Sequence, residues 1–195
     1  MQEIFLVLFL IPSILSMFSI GPCPGVITNP LNQTNFLPGY FIYSFPKFSA
    51  LNYLGTWHDV LRNTDFKYAY GNCTQAYLFV RPDGKVGFIN SEIVLGKNHS
   101  AGGEIFIDES VPGQCFAKFS NWAPWGDYKL IYTDYERTAL VFSCASIGLA
   151  HWKWAWILAR NPQETIPEVY YQTIEAYGIP LEAMMKTNTR NCELF

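Results

Sequence analysis

Five cysteines and three histidines are the residues of this chain best equipped for chemistry, and their spacing narrows what they can do. Cys23, Cys73, Cys115, Cys144 and Cys192 stand far apart, with no CxxC pair. A zinc cluster or a thioredoxin-like redox pair therefore has no support, and no metal or cofactor is expected. A catalytic thiol needs an activating base. No histidine lies near Cys115 in sequence, and His58, His99 and His151 are scattered. In an exported chain, widely spaced cysteines read as disulfides with one left over. Spacing alone leaves their connectivity open.

Export is suggested by the first residues. Ile4 to Phe18 is almost unbroken apolar sequence without a charge. It is short for a membrane span and suits the apolar region of a secretory signal. Residues 1–21 are read as a signal peptide, although Glu3 stands where a basic leader is usual. Ser19-Ile20-Gly21 offers small residues for the cut, Pro22 disfavours it, and a cut a few residues earlier is the alternative. No later apolar run is long enough to span a membrane. Three glycosylation sequons begin at Asn32, Asn72 and Asn98. Asn98, in the polar stretch Gly96 to Ser100, is the best acceptor and Asn32 the next; Asn72 is poor because Cys73 occupies its middle position.

Composition narrows the partners. The net charge is −3 and the basic residues are scattered, so a nucleic-acid partner is not expected. Aromatic residues make up 17% of the chain and charged residues only 15%. That balance suits a protein with two apolar surfaces to line, a core and an interior pocket.

The elements that must position these residues are short β-runs. Residues 22–50, rich in Pro, Gly, Asn and aromatics, show no period and read as an irregular N-terminal extension. From Thr56 on, strands are predicted over Thr56–Arg62, Cys73–Arg81, Lys85–Ser91, Gly102–Ile107, Cys115–Trp122, Tyr128–Tyr135, Thr138–Ile147 and Trp154–Arg160. Turn signals such as Pro82-Asp83-Gly84 and Pro124-Trp125-Gly126 separate them. About eight evenly spaced strands suggest an up-and-down barrel or a sandwich. One helix is predicted over Glu164–Tyr177, with Val169, Tyr170, Thr173, Ile174 and Tyr177 on one side and Gly178 as its stop.

Three motifs in order then carry a resemblance. Gly55-Thr56-Trp57, with Phe48 upstream, resembles the Gly-x-Trp opening of the lipocalins. Thr133-Asp134-Tyr135 resembles their second motif, and Arg160, ending Trp156-Ile157-Leu158-Ala159-Arg160, their third. Asn72-Cys73-Thr74-Gln75-Ala76, Trp125-Gly126-Asp127-Tyr128 and Asn191-Cys192 narrow the likeness to the apolipoprotein D and bacterial lipocalin group, over roughly residues 48 to 195. The resemblance implies an all-β, eight-stranded antiparallel up-and-down barrel over residues 51–195, with one C-terminal helix packed outside. It implies that Arg160 lies over Trp57 at the closed end, with Asp134 and Tyr135 in the same structural network. It also implies disulfides Cys23–Cys144 and Cys73–Cys192, which leave Cys115 as a free thiol. The stretch from Cys23 to Gly55, including Pro38 to Tyr43, is longer than this group usually has and matches nothing in it.

The expected activity is binding and transport of a small hydrophobic ligand such as a fatty acid, sterol or retinoid, in a secreted carrier that is not an enzyme. By the resemblance, Phe119, Tyr128, Trp156, Asn90 and Leu78 line the pocket. The turn holding Trp122 and Trp125 is a candidate contact with a membrane or lipoprotein surface. A lipid-modifying enzyme using an inward-facing Cys115, and an interaction module using the N-terminal extension, are the competing readings. Oligomeric state is left open.

Overall fold

A computed structural model describes residues 18–24, 48–64, 71–111, 113–190 and 192. Ten strands form one antiparallel sheet: β1 (Phe18–Ile20), β2 (Gly55–Asn63), β3 (Asn72–Val80), β4 (Val86–Val94), β5 (Lys97–Ile107), β6 (Gln114–Lys118), β7 (Gly126–Thr133), β8 (Thr138–Ile147), β9 (Ala150–Ala159) and β10 (Met184–Lys186). Strands β2 to β9 pair in sequence order, and β9 pairs back on β2, which closes the eight-stranded barrel. Two short helices, α1 (Ala50–Tyr53) and α2 (Glu168–Ala176), flank it.

Side-chain alternation produces two cores on the two faces of one wall. Along β8, Ala139 and Val141 join Trp57, Leu78, Phe88, Leu130 and Leu158 inside the barrel. The alternate residues Leu140, Phe142 and Cys144 pack outside, against Tyr170, Ile174 and Tyr177 of the helical segment. A wall covered on both faces reads as a continuous apolar run, and Ala139-Leu140-Val141-Phe142 is one. Helix α2 is held further by Lys153 on β9, whose buried Nζ donates to the carbonyls of Tyr177 (3.0 Å) and Gly178 (3.1 Å). Gly178 has φ +71°, and a Cβ there would meet that Nζ at 2.9 Å. Glycine thus ends the helix and leaves room for the lysine.

Several element bounds differ from the sequence reading. The helix begins at Glu168, not Glu164, because Pro167 holds an extended conformation (ψ 135°) at its N-cap. Val169, assigned to its buried side, is 39% exposed. Strand β6 ends at Lys118 and does not continue to Trp122, whereas β5 starts at Lys97, well before Gly102. Leu95 and Gly96, both at positive φ, make a tight turn that lets β4 and β5 run on as one long hairpin.

Both chain ends add strands at one end of the barrel. β1 pairs with the start of β9, Phe18 opposite Trp152 with rings 4.8 Å apart. The strand thus uses the last residues of segment 1–21. β10 pairs with the second half of β2, and Thr187 N–H continues the pairing to the Val60 carbonyl. Disulfides Cys23–Cys144 and Cys73–Cys192 fasten these two segments to β8 and β3. Two disulfides of such long sequence separation, 121 and 119 residues, fit an oxidising compartment.

Candidate ligand site

The barrel is sealed at the end where β2 starts and β9 stops. The Arg160 guanidinium lies 3.8 Å from the centre of the Trp57 ring. Its nitrogens donate to the carbonyls of Leu54 (2.8 Å), Thr56 (2.8 Å) and Tyr135 (3.1 Å). Trp57 is fully buried and gives its indole N–H to the Tyr53 carbonyl at 2.8 Å. The β7–β8 hairpin completes the floor. Asp134 Oδ1 accepts from the backbone N–H groups of Arg137 and Thr138, the Thr133 hydroxyl accepts from Tyr135 N–H, and the Tyr135 hydroxyl accepts from Ser49 N–H. These contacts occupy Asp134 with turn building, and leave Arg160 as a clip between three chain segments.

Above this floor lies an apolar hollow lined by Phe48, Tyr53, Leu78, Cys115, Tyr128 and Leu130, with four further apolar residues. Its volume is ≈ 10 Å³, the room of about one water molecule. The Tyr53 and Tyr128 hydroxyls meet 3.0 Å apart inside the barrel. Burial raises the pKa of both phenols well above the ordinary value, so both stay protonated. Cys115 is buried and free, and burial pushes its thiol up to about 12.

Of the five residues assigned to the pocket from sequence, Leu78 and Tyr128 line this hollow; Phe119, Trp156 and Asn90 do not. Phe119 lies beyond the end of β6, 43% exposed, with its ring edge-on to buried Phe88 at 5.1 Å. Trp156 packs on the interior cluster, and Asn90 pairs with Ala76 of the same cluster. These three stand on the barrel's inner side but outside the hollow itself. Phe48, Val86, Ile105 and Leu130 were missed, although strand parity with Phe88, Ile107 and Tyr128 was available to find the last three.

A buried ion pair was also missed. Arg62 shares a strand-pair position with Trp156, which pairs with Val141, so it stands on the interior face. It is 1% exposed and donates to Asp59 Oδ2 (2.9 Å), the hydroxyls of Thr187 (2.8 Å) and Thr74 (3.3 Å), and the Gly71 carbonyl (3.1 Å). One side chain thereby ties β2, β3 and the tail after β10 together. Burial lifts the Asp59 carboxyl to about 6, against the lowering pull of Arg62. No signal in Asp59-Val60-Leu61-Arg62 marked these two, because a strand bulge between Asp59 and Leu61 turns both inward.

At the opposite end, Leu95 and Trp122 are exposed on two different connections, and Ile20, Ile147 and Leu149 are exposed around the β8–β9 turn. Trp125, 45% exposed, packs on Phe106 and under the Lys118 ammonium, 4.5 Å from its ring. Among the described residues no His, Cys, Asp or Glu cluster could hold a metal ion, and no helix is long and apolar enough to cross a membrane. Asn32 and most of the N-terminal extension lie outside the described residues.

No family model matches the chain. It is 31% identical over 185 residues to apolipoprotein D of Cavia porcellus, covering 91% of this chain and 88% of the relative. It is 30% identical over 199 residues to apolipoprotein D of Bos taurus, covering 95% and 96%. Insecticyanin of the tobacco hornworm Manduca sexta has the same fold, with TM-score 0.65 at 17% identity over 90% of each chain. Lobster apocrustacyanin A1 also shares it, with TM-score 0.64 at 18% identity, covering 89% of this chain and 91% of the other.

Proposed function

The chain belongs to the lipocalin family, on its apolipoprotein D branch, and from that premise we propose that it carries one small apolar molecule outside the cell. The observation that supports this best is the barrel interior. Its hollow is lined by apolar side chains, it is closed at one end by Arg160 on Trp57, and among the described residues the free thiol at the hollow is not activated. Cys115 reaches the hollow, but its thiol stays protonated at neutral pH, which favours the carrier over a lipid-modifying enzyme. A fatty acid, sterol or retinoid fits such walls.

The hollow in its present conformation is too small for such a guest, so uptake requires side chains to move. Tyr128, Trp156, Phe119, Asn90 and Leu78 are the residues proposed to meet the guest. Titration with fatty acid, sterol and retinoid, followed by tryptophan fluorescence and by mass spectrometry of lipid carried through purification, tests the reading. Binding tighter than high-micromolar, about −5 kcal/mol, is expected; a panel that shows none overturns it.

The exposed side chains at the mouth favour a second element of the same function. Trp122 is 89% and Leu95 98% exposed, and exposed apolar side chains grouped at one end of a barrel suit contact with a lipid surface from which cargo is taken. Flotation with neutral phosphatidylcholine vesicles tests it. Wild type is expected to co-float and Trp122→Ser with Leu95→Ser to stay behind; equal flotation overturns the contact.

A further inference from the structure

Strand β5 is the longest of the sheet, and only part of it is paired on both sides. Lys97 to Ile105 pair with β4, whereas β6 pairs with β5 only from Glu104 to Ile107. Among the described residues, Lys97 to Gly103 have no strand along their second edge. The side chains from Lys97 to Gly102 are exposed. An open edge of this length offers unpaired backbone groups to another chain, and proteins that stay soluble protect such edges.

Asn98 stands in this run and opens the sequon Asn98-His99-Ser100. It pairs with Ile93, and alternation puts Ile93 on the face opposite Phe88 and Asn90, away from the barrel interior. A glycan on Asn98 would stand on the outer face beside the open edge and leave the mouth clear. The sequon at Asn72 is worse placed: Cys73 is in a disulfide, and the Thr74 hydroxyl is engaged with Arg62 and the Gly71 carbonyl.

We propose that Asn98 carries an N-linked glycan whose bulk keeps the open edge of β5 from pairing with a second copy of this chain. The proposal rests on the exported reading above, because only an exported chain meets the glycosylating machinery. Two strands that pair edge to edge approach within about 5 Å, and a sugar chain rooted on that edge occupies the approach.

The full chain, secreted from mammalian cells, tests this. Peptide mapping after enzymatic deglycosylation in heavy-oxygen water reads occupancy at Asn98. Light scattering over a concentration series reads the mass of wild type, deglycosylated protein, Asn98→Gln, and Asn98→Gln with Ser100→Lys. The expected result is an occupied Asn98 and a monomeric wild type. Deglycosylated protein and Asn98→Gln should dimerise at least about tenfold more tightly, and the edge lysine should restore the monomer. An unoccupied Asn98 in secreted protein, or an Asn98→Gln variant as monomeric as wild type, overturns the proposal. Retention of the chain inside the cell instead strikes the export reading, and is told apart by comparing cell and medium.

Discussion

Tyr53 and Tyr128 meet hydroxyl to hydroxyl, 3.0 Å apart, inside the barrel. Tyr53 rises from α1 beside the floor, where its ring lies 4.9 Å from that of Trp57, and Tyr128 comes from β7 in the wall. The pair therefore joins the floor to the side of the hollow and occupies part of the barrel interior. One phenol donates to the other, so each buried oxygen has a hydrogen-bond partner in an apolar interior.

Removing one member should trade stability for capacity. Tyr128→Ala is expected to cost about 3–5 kcal/mol in urea unfolding and to leave a larger cavity. A fluorescent fatty acid should then bind more tightly to the variant than to wild type. Tyr128→Phe keeps the volume and orphans the Tyr53 hydroxyl, so it should lose about 1–3 kcal/mol with no gain in binding. Equal lipid affinity in all three proteins would show that this space is not where ligand sits.

The floor makes a separate demand on one side chain. Arg160 covers Trp57 and serves carbonyls of Leu54, Thr56 and Tyr135 at once. Lysine keeps the charge but not the planar fork. Arg160→Lys is expected to lower stability by about 1–3 kcal/mol, from lost hydrogen bonds to carbonyls and weaker stacking. The urea midpoint measures it, and a blue shift lost from Trp57 emission would report the loosened floor.

The parts of this molecule that could be read from sequence are those where a local pattern meets a global role. Alternation and turn signals outline the barrel strands, and Gly55, Trp57, Asp134 and Arg160 are legible because they fall in three motifs, in order, that resemble those of the lipocalins. The Asp59–Arg62 pair was illegible because a bulge reverses the facing of the strand between them. The size of the hollow was illegible for another reason. Parity shows which side chains point inward, but not that Tyr53, from a helix before the barrel, reaches in to meet Tyr128. Strands β1 and β10 escaped because three-residue strands carry no period, and only their tethering cysteines hint at them.

Asp59 should write itself into the pH dependence of stability. Its folded carboxyl titrates near 6, above the ordinary value of 3.8. The folded state therefore holds this proton more tightly than the unfolded chain. The group's contribution is fully present below the unfolded value and is lost as pH rises toward 6. Urea midpoints across this window should fall with rising pH less steeply in Asp59→Asn than in wild type. Identical slopes would remove Asp59 from the account.

Cys115 gives a test of the interior's dryness. With its thiol pushed up to about 12, the folded protein should hold on the order of a thousandfold less thiolate at neutral pH than free cysteine does. A disulfide reagent should label it very slowly in buffer and at once in denaturant. Fast labelling in the folded state, blocked by lipid, would revive the reading of a reactive thiol in the hollow.

Strand β1 constrains where an exported form of this chain would begin. Phe18 to Ile20 pair with β9, Gly21 N–H donates to the Leu149 carbonyl at 2.8 Å, and the Gly21 carbonyl meets His151 Nδ1 at 2.9 Å. A cut after Gly21 would discard the strand and strip the start of β9 of this edge partner. A cut before Phe18 keeps both, and Ser16 supplies the small residue that a signal-processing enzyme requires ahead of its cut. Intact mass of the secreted protein is therefore expected to place the N-terminus at Met17. A truncated chain beginning at Pro22 should unfold at lower urea than the longer form. A secreted protein that begins at Ser19 or later would mean that β1 has no place in the mature fold.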